Sequence, residues 1–145
     1  MNRMMRGFTL IEAMIVVAIL GIIVAFGYPS YRDQVMKSRR SEGMGELLEL
    51  ADRLERFYSD KGTYAGATLG TTSADIFHKL TDKGNYQLSI DSADPVAFIV
   101  SAEPQGGQRK DKCGKFILHS DGNKEVAPPP SFSTTDPSMV GDCWK

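Results

Sequence analysis

The stretch Gly7-Phe8-Thr9-Leu10-Ile11-Glu12, with the apolar run Ala13 to Phe26 behind it, decides how this chain is read. Between Phe8 and Tyr31 the sole formal charge is Glu12. A helix of that length reaches about 36 Å, enough to cross a hydrocarbon layer of roughly 30 Å. These residues therefore read as a membrane helix. A lone carboxylate near its start is costly to insert, and an ionisable group in such a span is by default a functional residue. The bland alternative is a carboxylate that snorkels to the interface. An ordinary secretory signal fits poorly, because the apolar segment is too long and no A-x-A site follows it.

Working outward, the 145-residue chain divides into a greasy first quarter and a polar remainder. That split describes one small domain on a membrane anchor. Net charge is −1 at pH 7, too near neutral to announce nucleic-acid binding by composition. Arg32, Lys37, Arg39 and Arg40 follow the apolar run, against Arg3 and Arg6 before it. A plain count of positive charges would then leave the large domain in the cytoplasm.

Pro29 lacks the amide that would bond the Ala25 carbonyl, and Gly27 weakens the same turn, so a kink or local unwinding is expected around residues 25 to 30. From Arg32 to Tyr58 the pattern becomes an amphipathic helix. Leu47, Leu50, Ala51, Leu54, Phe57 and Tyr58 form its stripe, and Glu49–Arg53 and Asp52–Arg56 are i,i+4 pairs. Gly43 and Gly45 interrupt it where a neighbouring backbone could approach. Asp60-Lys61-Gly62 is a helix stop. Residues 63 to 84 read as a loop with room for a short helical turn at Ile76, Phe77 and Leu80.

Strands are predicted at Tyr86 to Ile90, Ala97 to Ala102, Lys115 to His119 and Lys124 to Val126. A turn at Asp91 to Pro95 separates the first two, and a tight turn at Asp121-Gly122-Asn123 the last two. Pro128 to Pro130 ends regular structure, and Ser131 to Gly141 reads as irregular. The fold class is α+β: a long N-terminal helix, membrane-spanning then amphipathic, on an antiparallel sheet of about four strands.

The N-terminal motif resembles the class III signal of type IV pilins and pseudopilins. Tyr28-Pro29-Ser30-Tyr31, Gly62-Thr63-Tyr64 and the ending Asp142-Cys143-Trp144 extend the resemblance along nearly the whole chain, most like minor pilins of the PilE type. The resemblance implies residues 1–7 as a cleaved leader, 8–31 as the transmembrane and assembly helix, 32–60 as its amphipathic continuation and 61–145 as a periplasmic region. It also implies cleavage at Gly7–Phe8, N-methylation of Phe8, and a salt bridge from Glu12 to the new amine of its own chain or a neighbour's. Gly21, Gly27 and Pro29 would bound a segment that melts on assembly. Loss of Arg3 and Arg6 with the leader removes two positive charges, leaving −3.

In such an exported domain the two cysteines, Cys113 and Cys143, are expected to be bonded and to close the segment 113–143. That loop would stabilise the fold by roughly 3–4 kcal/mol. Export overrules the charge count above. The implied partners are a prepilin peptidase with N-methyltransferase activity, other major and minor pilins, and the inner-membrane assembly platform. The implied location is the inner membrane, with the C-terminal domain in the periplasm, and then the surface pilus. Assembly and priming, twitching motility and adhesion would be its roles.

No phosphate-binding glycine loop, C-x-x-C, H-E-x-x-H or nucleophile elbow occurs, so an enzyme is not expected and no cofactor is implied. His78 and His119 have no ligand-like spacing and read as surface or strand residues, and turn chemistry explains Asp91, Asp94, Asp121 and Asn123 more simply than calcium does. No metal site is expected. Arg109, Lys110, Lys112 and Lys115 form the one local basic patch, a candidate DNA contact because some related minor pilins bind DNA. A solvated loop is the simpler reading, since no aromatic residues interleave. A major pilin, a DNA-binding competence pilin and a type II secretion pseudopilin remain alternatives. The cysteine pair argues against the last.

Overall fold

The computed structural model describes residues 8–130 and 137–145. Helix α1, Leu10–Lys61, runs through Pro29 and is followed by strands β1 (Tyr86–Ala93), β2 (Phe98–Pro104), β3 (Lys115–His119) and β4 (Lys124–Ala127). A 3-10 turn, Gly106–Lys110, lies between β2 and β3, and a short helix α2, Pro137–Cys143, comes last. By its contacts the chain forms two compact units, residues 1–35 and 36–145.

In the first unit no described residue covers the apolar face of the helix. Leu10, Ile11, Met14, Ile15, Val17, Leu20, Ile22, Ile23 and Phe26 are all exposed. A surface of this kind is stable only against lipid or other helices. The backbone stays helical from residue 25 to 30, so unwinding there would have to come with assembly.

In the second unit the sheet is a meander of order β1-β2-β3-β4, with every neighbour antiparallel. Alternation puts Tyr86, Leu88, Phe98, Val100, Ala102, Phe116, Leu118 and Val126 on one face, buried together with Met44, Leu47, Leu50 and Leu54 of α1. Leu47, Leu50 and Leu54 are wholly inaccessible, Ala51 and Tyr58 pack half-buried against the core, and Phe57 is half-buried. Gly62 ends α1 with φ +70°, and its amide bonds the Tyr58 carbonyl at 2.7 Å. Tyr64 then folds back, stacking on Tyr58 and meeting Phe98 edge-on.

Four local expectations change. The turn after β1 falls at Asp94, whose amide bonds the Ala97 carbonyl, because a bulge between Ile90 and Ser92 carries the strand on to Ala93. Residues 63 to 84 hold no helical turn; they pair by isolated bridges, Leu69 with Phe77 and Leu80 with Gln87. Residues 137–143 are helical rather than irregular, while residues 131–136 lie outside the described residues. Gly43 does admit a close neighbour, but it is the Tyr86 ring rather than backbone, and Gly45 meets nothing within 4 Å.

The crossing between α1 and β1 is tied down by two helix carboxylates one turn apart. Glu42 accepts from the Lys83 amide and the Asn85 side chain, at 3.2 and 3.0 Å. Glu46 accepts from the Asp82 amide at 3.0 Å and lies 2.8 Å from His78 Nε2. Like charges at this spacing repel on a bare helix. Here the loop's donors offset that repulsion.

The two helix glycines should respond to alanine with opposite signs. A Cβ on Gly43 would sit 2.6 Å from Tyr86 Cδ2, so Gly43→Ala is expected to destabilise by about 1–3 kcal/mol through overpacking. Gly45→Ala should be neutral or stabilising, by up to about 1 kcal/mol of helix propensity. Urea unfolding of the full chain in detergent checks both. Equal stability of Gly43→Ala and the parent would contradict the packing.

Candidate functional site

Two surfaces are candidates for function: the start of α1 and the loop from Gln105 to Lys115. At the first, Thr9 caps the helix. Its Oγ1 accepts from the Glu12 amide at 3.3 Å, and its carbonyl accepts from the Ala13 amide at 3.2 Å. Glu12 is thus the third residue of the helix, in the Thr-x-x-Glu spacing of a capping box. That signature is legible in the sequence, and its meaning lies in position. A carboxylate in the first turn lies where the helix dipole favours negative charge. Phe8 stands just before the cap and is highly exposed. Gly7 falls outside the described residues. Gly21 and Gly27 meet no atom within 4 Å, and Pro29 sits inside the helix.

The second surface is more built than a solvated loop. Arg40 on α1 makes a two-pronged pair with Asp111, Nε to Oδ2 at 2.7 Å and Nη2 to Oδ1 at 2.6 Å. Asp111 is 1% exposed. Gln108, fully buried, directs its side-chain amide at the Met36 carbonyl, the Tyr86 hydroxyl and Asp111 Oδ2. Burial raises the pKa of the Tyr86 hydroxyl well above its ordinary value, so it stays protonated. Cys113 is buried and bonded to Cys143. Gly114 takes φ +60°, and a Cβ there would collide with the Ala127 carbonyl.

Residues 108, 111 and 113 therefore point inward, and Arg109, Lys110 and Lys112 between them are exposed. Sequence reading found these cations but missed the buried anchors among them. The signal was faint: one amide and one carboxylate inside a basic run. Lys115 stands apart from the other three. It lies on β3, and its ammonium reaches Asp91 Oδ2 at 2.9 Å across the central strand. Beneath it, Ser101 and Ser89 donate to Asp91 Oδ1 at 2.9 and 2.8 Å. Arg109 donates to Gln105 at 2.9 Å, and Lys110 and Lys112 make no ion pair among the described residues.

A helix with an uncovered apolar first half, an antiparallel sheet packed on its second half and a C-terminal segment stapled to the sheet define a pilin-like subunit. Comparison with known proteins gives the family. Residues 2–28 match the prokaryotic N-terminal methylation motif. Residues 29–117, more than half of the chain, match the family described as type IV minor pilin ComP, DNA uptake sequence receptor. The type IV major fimbrial protein FimA of Dichelobacter nodosus is 35% identical over 127 residues, covering 81% of this chain and 78% of its own. Fimbrial protein EcpC of Eikenella corrodens is 41% identical over 64 residues, 44% of this chain and 42% of its own. Among solved structures, the non-core minor pilin PilV of Neisseria meningitidis aligns with a TM-score of 0.52 at 21% identity, over 67% of this chain and 91% of that one, a likeness of fold. The chain belongs to the type IV pilin family, whose members are structural subunits.

Burial opposes ionisation of Asp91, but the hydrogen bonds from Lys115, Ser89 and Ser101, with the Lys115 charge, outweigh it and hold its carboxyl below the usual 3.8. A depressed native pKa contributes stability that is present above the unfolded value and is lost as pH falls through the native one. Lys115→Met should therefore destabilise the chain at pH 7, by no more than about 1 kcal/mol for a pair this exposed. The deficit should shrink once pH drops below about 4, near the unfolded carboxylate value. Urea midpoints at pH 7 and pH 3 check this, and a deficit independent of pH would contradict it.

Proposed function

We propose that the chain is a minor pilin subunit of the type IV pilus, made as a prepilin, cleaved at Gly7–Phe8, methylated on Phe8 and held in the inner membrane before it enters the fibre. The uncovered apolar helix beginning at the Thr9–Glu12 cap carries this reading, because it needs either lipid or other pilin helices around it. The peptidase, the methyltransferase and the assembly platform are its processing and docking partners. The periplasmic region is residues 61–145, and pilus priming, twitching motility and adhesion are the roles it would serve. The minor assignment rests on the description of the family model, while several relatives are named major fimbrial proteins. Copy number per fibre separates the two.

In lipid, a bare ammonium at Phe8 and a bare carboxylate at Glu12 are each unfavourable. Bringing one subunit's amine beside a Glu12 lowers both desolvation costs. Glu12→Ala should be processed and retained in the membrane yet fall to background in sheared fibres, as read by immunoblot of both fractions. Incorporation at the parent level would remove the salt bridge from the account.

A second reading is favoured by the description of the matched family as a DNA uptake sequence receptor. Arg109, Lys110 and Lys112, held outward by buried Gln108, Asp111 and Cys113, would contact phosphates. Replacing all three by glutamine should weaken binding to duplex DNA and reduce the slope of log K against log salt by about 2–3, near one per lost contact. Lys115→Gln should change the slope little, since Asp91 already holds that ammonium. An unchanged slope in the triple variant would end this reading.

A further inference from the structure

The clasp between α1 and the crossing to β1 contains more than its hydrogen bonds require. Glu46, His78 and Asp82 each present one donor atom, and the three lie within 4.8 Å of one another. They come from one helix position and two points of the crossing. The hydrogen bonds of the clasp account for Glu46 Oε1, which accepts from the Asp82 amide, and for Oε2 beside His78 Nε2. They do not account for the Asp82 carboxylate. It makes no hydrogen bond or ion pair with any described residue, although it stands close to a second carboxylate and an imidazole.

We propose that Glu46, His78 and Asp82 form a site for a divalent transition cation of the zinc type, binding one imidazole nitrogen and two carboxylate oxygens and leaving a fourth position to water. Four observations bear on this. The local charge is negative: Glu46 and Asp82 meet there, Glu42 is one helical turn away, and the Lys83 ammonium is 3.9 Å from Glu42 rather than paired with the cluster. Glu46 is pre-oriented, because the Asp82 backbone amide fixes one of its oxygens, the kind of outer contact that positions metal ligands. The His78 ring stacks on Phe77 with centroids 3.9 Å apart and remains 39% exposed, which gives it a fixed plane and an open approach. The geometry also needs only a small change. With bonds of about 2.0–2.2 Å, donors on a tetrahedral ion stand roughly 3.3–3.6 Å apart. The 2.8 Å pair opens by about half an ångström, and Asp82, exposed and free, swings in.

An imidazole among the ligands selects zinc-type ions over calcium or magnesium, which take oxygen ligands. Binding would also join the crossing to α1 across more than 30 residues of chain, so the ion should stabilise the folded state directly.

The test is the thermal midpoint of the untagged full chain in detergent micelles, with zinc, calcium or magnesium chloride, or with chelator alone. Zinc at saturation should raise the midpoint by about 5–10 °C, with little change from calcium or magnesium. His78→Gln keeps a donor toward Glu46, so it should fold with a near-parent midpoint in chelator and bind zinc at least tenfold more weakly. Asp82→Asn, whose carboxylate has no role in the clasp, should do the same. No zinc shift in the parent would overturn the site. So would an equal shift in both variants, which would assign the ion to other ligands, or an equal response to calcium.

Discussion

Half of helix α1 is left uncovered by the described residues of its own chain, and the rest of the molecule follows from that constraint. Fully burying a Val, Leu, Ile, Met or Phe side chain is worth roughly 1.5–3 kcal/mol relative to leaving it exposed. A dozen or so such residues between Leu10 and Phe26 amount to far more than the net stability of a small domain. No rearrangement of a polar region of this size would hide them. The burial has to come from lipid or from other copies of the same kind of helix. Belonging to the type IV pilins gives both environments a place, and the Thr9–Glu12 cap puts a carboxylate at the end of the helix where a new amine would appear.

The second half of α1 uses a different chemistry. Leu47, Leu50 and Leu54 supply apolar contact to the sheet, while polar anchors at longer sequence separation set its register. Arg40 reaches Asp111, Gln108 reaches the Met36 carbonyl, and Glu42 and Glu46 hold residues 78 to 85. A buried ion pair contributes little by itself, but truncating one partner costs about 3–5 kcal/mol because the other charge is stranded. Such pairs penalise a slipped register heavily. The Arg40–Asp111 pair also gives one of the cations that follow the apolar run a structural role. One of the four cations after the apolar run is neutralised inside the fold, and Arg32 lies over the Tyr28 ring.

What the sequence made legible follows from periodicity and punctuation. The apolar run, the stripe at Leu47 to Leu54, the stop at Gly62 and the four alternating strands are local patterns, and each formed in the expected place, with the first two strands running two or three residues further than expected. The disulfide followed from two cysteines in a domain that the N-terminal motif implied to be exported. The features missed are non-local. Asp91 to Ala93 looked like a turn because a bulge has no compositional mark. Residues 137–141 looked irregular because the helix they open is short and begins at a proline. The basic run from Arg109 to Lys115 looked uniform because burial of Gln108 and Asp111 depends on Arg40 and Tyr86, far away in the chain. Glu46, His78 and Asp82 carried no ligand spacing, since 32 and 36 residues separate them from the helix position they meet.

The central claim is that residues 8 to 31 serve as the buried helix of a processed fibre subunit. The most direct test is intact mass and N-terminal sequencing of the protein recovered from sheared surface fibres. The account predicts a chain that begins at a methylated Phe8, with Cys113 and Cys143 oxidised. A chain that begins at Met1, or absence of the protein from the fibres, would contradict it.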